Sequence, residues 1–287
     1  MGRRRREADT EAVLRSVRGY RDRLTGLTDA VRADEPDAVH QMRVAARRLR
    51  SVLGTYTSIF PKAEAAPVRS ELRWLGTVLG RARDQEVLAA RFAEELDAQP
   101  PDLVRGPVRY RLVTAHREEY RAAHTNAVMV LADPRFHDLV TALNALCSRP
   151  VKDRKVARST RRAHRRVLRA ARAAGLRGGG GEPGPPEALH TLRKRAKALR
   201  YAGEALAPSR PRASKVARAA EDLQTVLGEY QDAVVARGQV LVAADRARAA
   251  GEDTFTYGVI AAVEESVQER ATGAARGALR TVRAREL

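Results

Sequence analysis

An internal repeat constrains the fold of this chain more than any other feature of its sequence. Residues 39–56 read VHQMRVAARRLRSVLGTY, and residues 189–206 read LHTLRKRAKALRYAGEAL. A second pair of segments follows, LGTVLGRARD at 75–84 and LQTVLGEYQD at 223–232. The distance from the His of the first motif to the final Asp of the second is 44 residues in one copy and 42 in the other. Two matching motifs at matching separation predict two copies of one structural unit.

Each copy has the apolar periodicity of α-helices, and strand-like alternation is not sustained anywhere. Pro and Gly separate the helical segments. The spacing predicts an all-α fold with helices near 8–33, 36–59, 65–98, 104–131, 135–147, 155–175, 186–206, 212–249 and 253–283. The Gly/Pro-rich segment 178–186 is predicted to be a linker.

On a helix with about 100° between residues, basic residues of both first motifs share one face. The first stripe is His40, Arg43, Arg47 and Arg50, and the second stripe is His190, Arg193, Lys197 and Arg200, with Lys194 and Tyr201 beside it. The opposite faces are apolar and are predicted to be buried: Val39, Met42, Ala46, Leu49 and Leu53 in one copy, and Leu189, Leu192, Ala196 and Leu199 in the other.

Neither stripe contains an acidic residue between its first and last basic residue. A lone basic run is more often a solvated helix face, and that reading stays open here. Duplication of the same pattern favours a ligand that supplies the missing negative charge. Arginine chelates phosphate oxygens with two N–H groups, and regular spacing over about 15 Å of helix suits a linear polyanion.

The second motifs place a glycine and an aspartate on the following helix. Gly80 and Gly228 lie mid-helix, where glycine costs about 1 kcal/mol, so another helix or a ligand is expected to approach closely. Asp84 and Asp232 are expected either to orient nearby cations or to form purely structural ion pairs. His40 and His190 each begin a stripe, and their cationic neighbours are expected to lower the pKa of both imidazoles.

Composition excludes several classes of protein. Lys plus Arg total 54 against 35 acidic residues, a net charge of +19, so a polyanionic partner is expected. The single cysteine, Cys147, excludes a disulfide framework and fits a reducing cytoplasm. The sequence offers no spacing for a metal site and no Walker loop or nucleophile elbow. Neither a secretory signal nor a transmembrane run is predicted.

The motifs LHTLRKRAKALRY and VHQMRVAARRLRS, each followed by LG-x-x-x-D, resemble the paired signatures of the CHAD domain, the conserved histidine α-helical domain. The resemblance covers residues 7–283 and implies a single domain of two antiparallel helical bundles, 7–150 and 151–283. It further implies a pseudo-two-fold axis and a basic cavity between the bundles that binds inorganic polyphosphate. The residues expected to bind it are both stripes with Lys194 and Tyr201, together with Arg73 and Arg83.

The same resemblance implies a binding protein rather than an enzyme, with no cofactor. The chain lacks the E-x-E-x-K signature of the triphosphate-handling CYTH domain to which many members are fused, so a stand-alone member is expected. Targeting to polyphosphate granules or regulation of polyphosphate are the expected roles, in the cytoplasm. Two alternatives stay open: a basic helical nucleic-acid-binding protein, and a polyphosphate-processing enzyme, for which the stripes lack a carboxylate cluster to hold Mg²⁺.

Overall fold

The computed structural model describes residues 2–149, 151, 155–176 and 184–285, and the regular structure within them is helical. The all-α prediction is therefore confirmed. The α-helices are α1 (Gly2–Gly26), α2 (Thr28–Arg32), α3 (Ala38–Thr55), α4 (Lys62–Asp97), α5 (Ala115–Ala132), α6 (Pro134–Ser148), α7 (Ala157–Ala173), α8 (Pro186–Leu206), α9 (Pro211–Ala249) and α10 (Phe255–Arg283). A 3₁₀ turn spans Pro101–Leu103, and a π-helical turn, Tyr110–Thr114, leads directly into α5.

Three of the predicted helices differ most from those observed. The predicted helix 8–33 begins earlier, at Gly2, and is split at Leu27 into α1 and α2. The predicted helix 104–131 begins at residue 108, just before the π-helical turn. The predicted helix 36–59 is shorter at both ends, because Asp34 and Asp37 adopt positive φ before it and the chain turns after Thr55. Aspartate tolerates left-handed backbone better than most residues do. Most of the predicted linker, residues 178–183, lies outside the described residues.

Helices pack in the same order in the two halves of the chain. In the first half α1 packs on α3, α3 on α4 and α4 on α5, and in the second half α7 packs on α8, α8 on α9 and α9 on α10. Helices α3 and α8, which carry the two stripes, also pack on each other. This common order favours the predicted pseudo-two-fold relation, which stays a prediction.

The apolar residues form three clusters. One is built mainly by α1, α3, α4, α5 and α6 with the end of α8, and a second by α7, α8, α9 and the end of α10. The third joins the end of α4 and the π-helical turn to α9 and α10, and so draws on both halves of the sequence. The predicted apolar faces of α3 and α8 are confirmed, since every residue named for them is at most 3% exposed. The division of the chain at residue 150 stays a prediction.

A carboxyl pair lies beside the third cluster. Glu264 on α10 is fully buried and forms an ion pair with Arg91 of α4, which also contacts Glu95 at 3.0 Å. Burial, followed by a hydrogen bond with Glu264, raises the pKa of Glu95 to about 8. None of the described helices is long and apolar enough to cross a membrane.

Candidate anion-binding site

Helix α3 places Arg43 directly over the mid-helix glycine of α4. A Cβ atom at Gly80 would lie 3.3 Å from Nε of Arg43, closer than an ordinary contact. The same guanidinium reaches Asp84, one turn further along α4, with Nη2 at 3.4 Å from Oδ1. Glycine and aspartate therefore form a seat for one arginine of the first stripe.

The second half of the chain repeats this arrangement. A Cβ atom at Gly228 would lie 3.5 Å from Nη2 of Arg193, and that nitrogen is 3.5 Å from Oδ1 of Asp232. Nε of Arg193 is buried without a hydrogen-bond partner. The close approach expected at both glycines is thus made by an arginine side chain, and both aspartates orient a cation of the facing helix.

The two seats lie near enough to affect each other. Burial is the main cause that lowers the pKa of Arg43, and the charges of Arg47, Arg83 and Arg193 lower it further while Asp84 opposes them. Burial likewise raises the pKa of Asp84, with a contribution from Asp232 in the other half. Cations and acids of both repeats therefore share one electrostatic environment, which we call the central cluster: Arg43, Arg47, Asp84, Arg193, Lys197 and Asp232.

Lys197 is the most perturbed cation of the central cluster. Burial lowers its pKa to about 7, and the positive charges of Arg193, Arg47 and Arg43 contribute in the same direction. Within the described residues no carboxylate lies within 4.0 Å of its Nζ atom. Asp232 opposes this lowering of the pKa, but without a carboxylate in contact the lysine still gains from a bound anion.

Arg47 connects the two stripe-bearing helices. Its Nε donates a hydrogen bond to the Tyr201 hydroxyl at 3.0 Å, and the Tyr201 ring is buried at 1% exposure. Arg48, which the stripe analysis does not include, lies over the same ring and is 3.4 Å from Glu204. Tyr201 therefore positions the Arg47 guanidinium through this hydrogen bond.

The ends of the two stripes differ in charge. Arg50 is half-buried near Arg69 and Arg73, and its pKa is lowered first by burial and then by Arg73. No carboxylate of the described residues lies within 4.0 Å of these three arginines, which we call the arginine triad. Arg200, the equivalent of Arg50, instead pairs with Glu204 at 2.7 Å and Glu221 at 2.8 Å.

The repeat alignment explains this difference. Glu221 stands four residues before Thr225, where the first repeat has Arg73 four residues before Thr77. The negative charge that the stripe of α8 lacks is therefore supplied to Arg200 by Glu204 and by Glu221 of the neighbouring helix α9. The stripe alone could not show this, because Glu221 is distant in sequence.

Arg69 belongs to the site although the motifs do not single it out. Its guanidinium lies against α3 at Gly54, where a Cβ atom would be 2.9 Å from Nη2. Its Nε is buried without a hydrogen-bond partner. The available signal was its position one turn before Arg73 on the same face of α4.

The histidines lie at the edge of this region. Burial, then the charge of Arg83, lowers the pKa of His40, with Asp37 opposing. His190 forms a 2.8 Å hydrogen bond between Nδ1 and Oε1 of Gln231, the residue that aligns with Arg83. Arg83 itself pairs with Glu86 at 2.8 Å, and Lys194 is exposed on α8.

A separate cavity of about 550 Å³ opens beside His40 between α1 and α3, with Tyr20, Arg23, Gln41 and Arg48 in its wall.

Among the described side chains no three His, Cys, Asp or Glu residues are grouped so that they could hold a metal ion.

Comparison with known sequences gives a match to the CHAD domain over residues 15–241. Two relatives from strains of Mycobacterium tuberculosis, the uncharacterized proteins MT2285 and Rv2226, are each 42% identical over 275 residues, or 94% of this chain. That match covers 53% of either relative, so the chain spans about half the length of the curated relatives it matches.

Solved structures share the fold. PptA from Streptomyces chartreusis aligns with 95% of this chain and 99% of its own, at a TM-score of 0.76 and 22% identity. The CHAD domain from the plant Ricinus communis aligns with 97% of this chain and 94% of its own, at a TM-score of 0.74 and 24% identity. Since the family's sequence profile matches most of its residues, the chain belongs to the CHAD domain family.

Proposed function

We propose that this chain binds inorganic polyphosphate at the central cluster and the arginine triad. The observation that carries the proposal is the convergence of cations from both repeats, Arg43 and Arg47 with Arg193 and Lys197, around Asp84 and Asp232. Such a concentration of like charge is unfavourable in the free protein. A bound polyanion relieves it, and that relief contributes to affinity.

A linear phosphate chain fits this arrangement better than a compact metabolite. The basic residues of each stripe extend along about 15 Å of helix, and those of the two helices lie side by side. Arginine can chelate successive phosphate oxygens, while Lys197 acts as a point charge. The CHAD resemblance independently implies the same ligand.

Because the two stripes differ in charge, the two ends of the proposed site should bind phosphate unequally. In the first repeat Arg50, Arg69 and Arg73 are available to an anion, whereas Arg200 in the second repeat is already neutralised by Glu204 and Glu221. We therefore expect the chain of phosphates to run from the arginine triad to Lys197 and to contact Arg200 weakly.

Isothermal titration with long-chain polyphosphate, tripolyphosphate and orthophosphate tests the proposal. Long chains should bind far more tightly than orthophosphate, because one molecule reaches both stripes and its second contact is intramolecular. The double variant Arg47→Gln, Lys197→Gln should lose about tenfold or more in affinity, since hydrogen bonds to charged groups contribute about 1.5–3 kcal/mol each. Affinity should also fall with salt.

A matched control removes two positive charges elsewhere. Arg121 and Arg246 are exposed on α5 and α9, and Arg121→Gln, Arg246→Gln should leave polyphosphate affinity almost unchanged. Equal losses in the two double variants would show non-specific attraction by net charge. Orthophosphate binding as tight as that of long chains would refute the extended site.

The proposed role is binding without catalysis. Asp84 and Asp232, the acids of the central cluster, are both engaged by arginines. Incubation with long-chain polyphosphate, with and without Mg²⁺, should release no orthophosphate above the level of the double variant. Release by the wild type that the variant lacks would make the protein an enzyme.

Association with polyphosphate granules is the proposed cellular role. A fluorescent fusion of the wild type should concentrate on granules, and the Arg47→Gln, Lys197→Gln fusion should not. Diffuse fluorescence from both fusions would limit the role to polyphosphate in solution.

A further inference from the structure

A second basic surface lies on α7, outside the central cluster. Helix α7 carries seven arginines between Arg158 and Arg172 and no acidic residue. Its apolar face, which includes Ala163, Val167 and Ala171, is buried in the second apolar cluster. All seven arginine side chains are therefore directed to solvent and are exposed.

These arginines have no acidic partners in the described part of the chain, where no carboxylate lies within 4.0 Å of any of them. Some other exposed arginines are paired, as Arg135 is with Glu71 at 2.6 Å and Arg248 with Asp245 at 3.2 Å. Like charges three and four residues apart destabilise a helix. Like-charge repulsion therefore makes this surface unfavourable in isolation, and a bound anion would relieve it.

The arginines cover a broad arc of the helix rather than a narrow stripe. At about 100° per residue they spread over roughly 140° of the helix surface. Five of them, Arg162, Arg165, Arg166, Arg169 and Arg172, line a groove of about 570 Å³. The arc extends over about 21 Å along the helix axis.

A basic arc of this width on one helix matches a ligand with phosphates on both sides of the helix. The major groove of a nucleic-acid duplex is about 12 Å wide, admits an α-helix and is bordered by two phosphate backbones. A single phosphate chain would meet only part of the arc. Helix α7 offers no aromatic side chain for stacking on unpaired bases, and its apolar face is unavailable to a membrane.

We propose that α7 binds double-helical nucleic acid through its phosphates, independently of base sequence and of the central cluster. Its contacts are assigned to the backbone, because arginines spread over this arc face both phosphate strands and can chelate their oxygens. One molecule could then hold polyphosphate and a duplex at the same time.

Fluorescence anisotropy with a labelled duplex tests this, using the variant Arg162→Gln, Arg165→Gln, Arg166→Gln, Arg169→Gln. Affinity should fall tenfold or more, and the slope of log affinity against log salt should decrease by up to about 3.6, or 0.9 per lost phosphate contact. Polyphosphate affinity should stay within about twofold, as measured by titration. Circular dichroism verifies that helical content is unchanged.

The matched control removes four exposed arginines elsewhere and has the same net charge: Arg15→Gln, Arg109→Gln, Arg246→Gln, Arg270→Gln. It should retain duplex affinity. Equal losses in control and α7 variant, or tighter binding of the single strand than of the duplex, would overturn the proposal.

Two further outcomes would assign the surface to another ligand and also overturn it. One is loss of polyphosphate rather than duplex affinity in the α7 variant. The other is stronger binding to vesicles of anionic phospholipid than to the duplex. Failure of duplex binding with intact polyphosphate binding would leave the function of the central cluster unaffected.

Discussion

Lys197 should make polyphosphate binding depend on pH. In the free protein burial and three neighbouring arginines lower its pKa to about 7. A bound polyanion adds negative charge and raises that pKa toward the ordinary value of 10.5. Binding then takes up a proton above pH 7, so affinity falls as the pH rises.

The magnitude follows from the population of the charged lysine. With a pKa of about 7, Lys197 is charged in about half of the free molecules at pH 7 and in about 3% at pH 8.5. If the ligand binds the charged form, apparent affinity falls in the same proportion, roughly 15-fold. The internal phosphates of a long chain stay ionised over this range and add little to the change.

Titration calorimetry at pH 7.0 and 8.5, at constant ionic strength, measures this change in the wild type and in Lys197→Arg. Arginine keeps the positive charge at both pH values, so the variant's affinity should change by about twofold or less. A variant that retains the wild-type slope, or a wild type with equal affinity at both values, would refute the role of Lys197. His40→Gln serves as a second control, because a bound anion would also raise the pKa of His40, which burial and Arg83 lower in the free protein. This variant should retain the wild-type dependence of affinity on pH if Lys197 is its source.

Three predictions concern stability. Arg200→Gln should destabilise the protein by about 1 kcal/mol in urea unfolding, because Glu221 loses its ion pair and Glu204 keeps only the pair with Arg48. An unchanged midpoint would show that the ion pairs of Arg200 contribute nothing. Gly76→Ala should stabilise the protein by about 1 kcal/mol without affecting binding, since a Cβ atom there meets nothing within 4 Å. Gly80→Ala should displace the Arg43 side chain and weaken polyphosphate binding. Equal polyphosphate affinities of the two variants would contradict the role of Gly80 in seating Arg43. For Glu95, whose folded pKa of about 8 lies above its ordinary 4.5, stability should decrease from pH 5 to pH 7, because the folded protein holds a proton that the unfolded chain releases. Glu95→Gln should reduce that decrease, and a variant as pH-sensitive as the wild type would place the titration elsewhere.

The sequence predicted the helical class and the internal repeat because both depend on local periodicity. Apolar residues recurring every three or four positions specify which face of α3 and α8 is buried, so Met42 and Leu192 were identified correctly as core residues. The glycines and aspartates of the second motifs were also recognised. Their partner was not, because the Arg43–Asp84 and Arg193–Asp232 contacts join different helices.

Helix ends were predicted less accurately than helix existence. Leu27 interrupts the first helix, and two aspartates with positive φ precede α3. These features depend on the directions in which neighbouring helices run. The periodicity of apolar residues along one helix contains no information about those directions.

Charge balance was decided by the tertiary structure alone. The two stripes look equivalent in sequence, yet Arg200 is neutralised by Glu221 from α9 while Arg50 stands beside Arg69 and Arg73. Likewise, a lysine in a basic run is ordinary, and it is the packing of α3 against α8 that brings Arg43 and Arg47 near Lys197 and lowers its pKa. Electrostatic energy depends on distance and burial rather than on order along the chain. The sequence could therefore identify the cations, but only the fold determined which of them lack a partner.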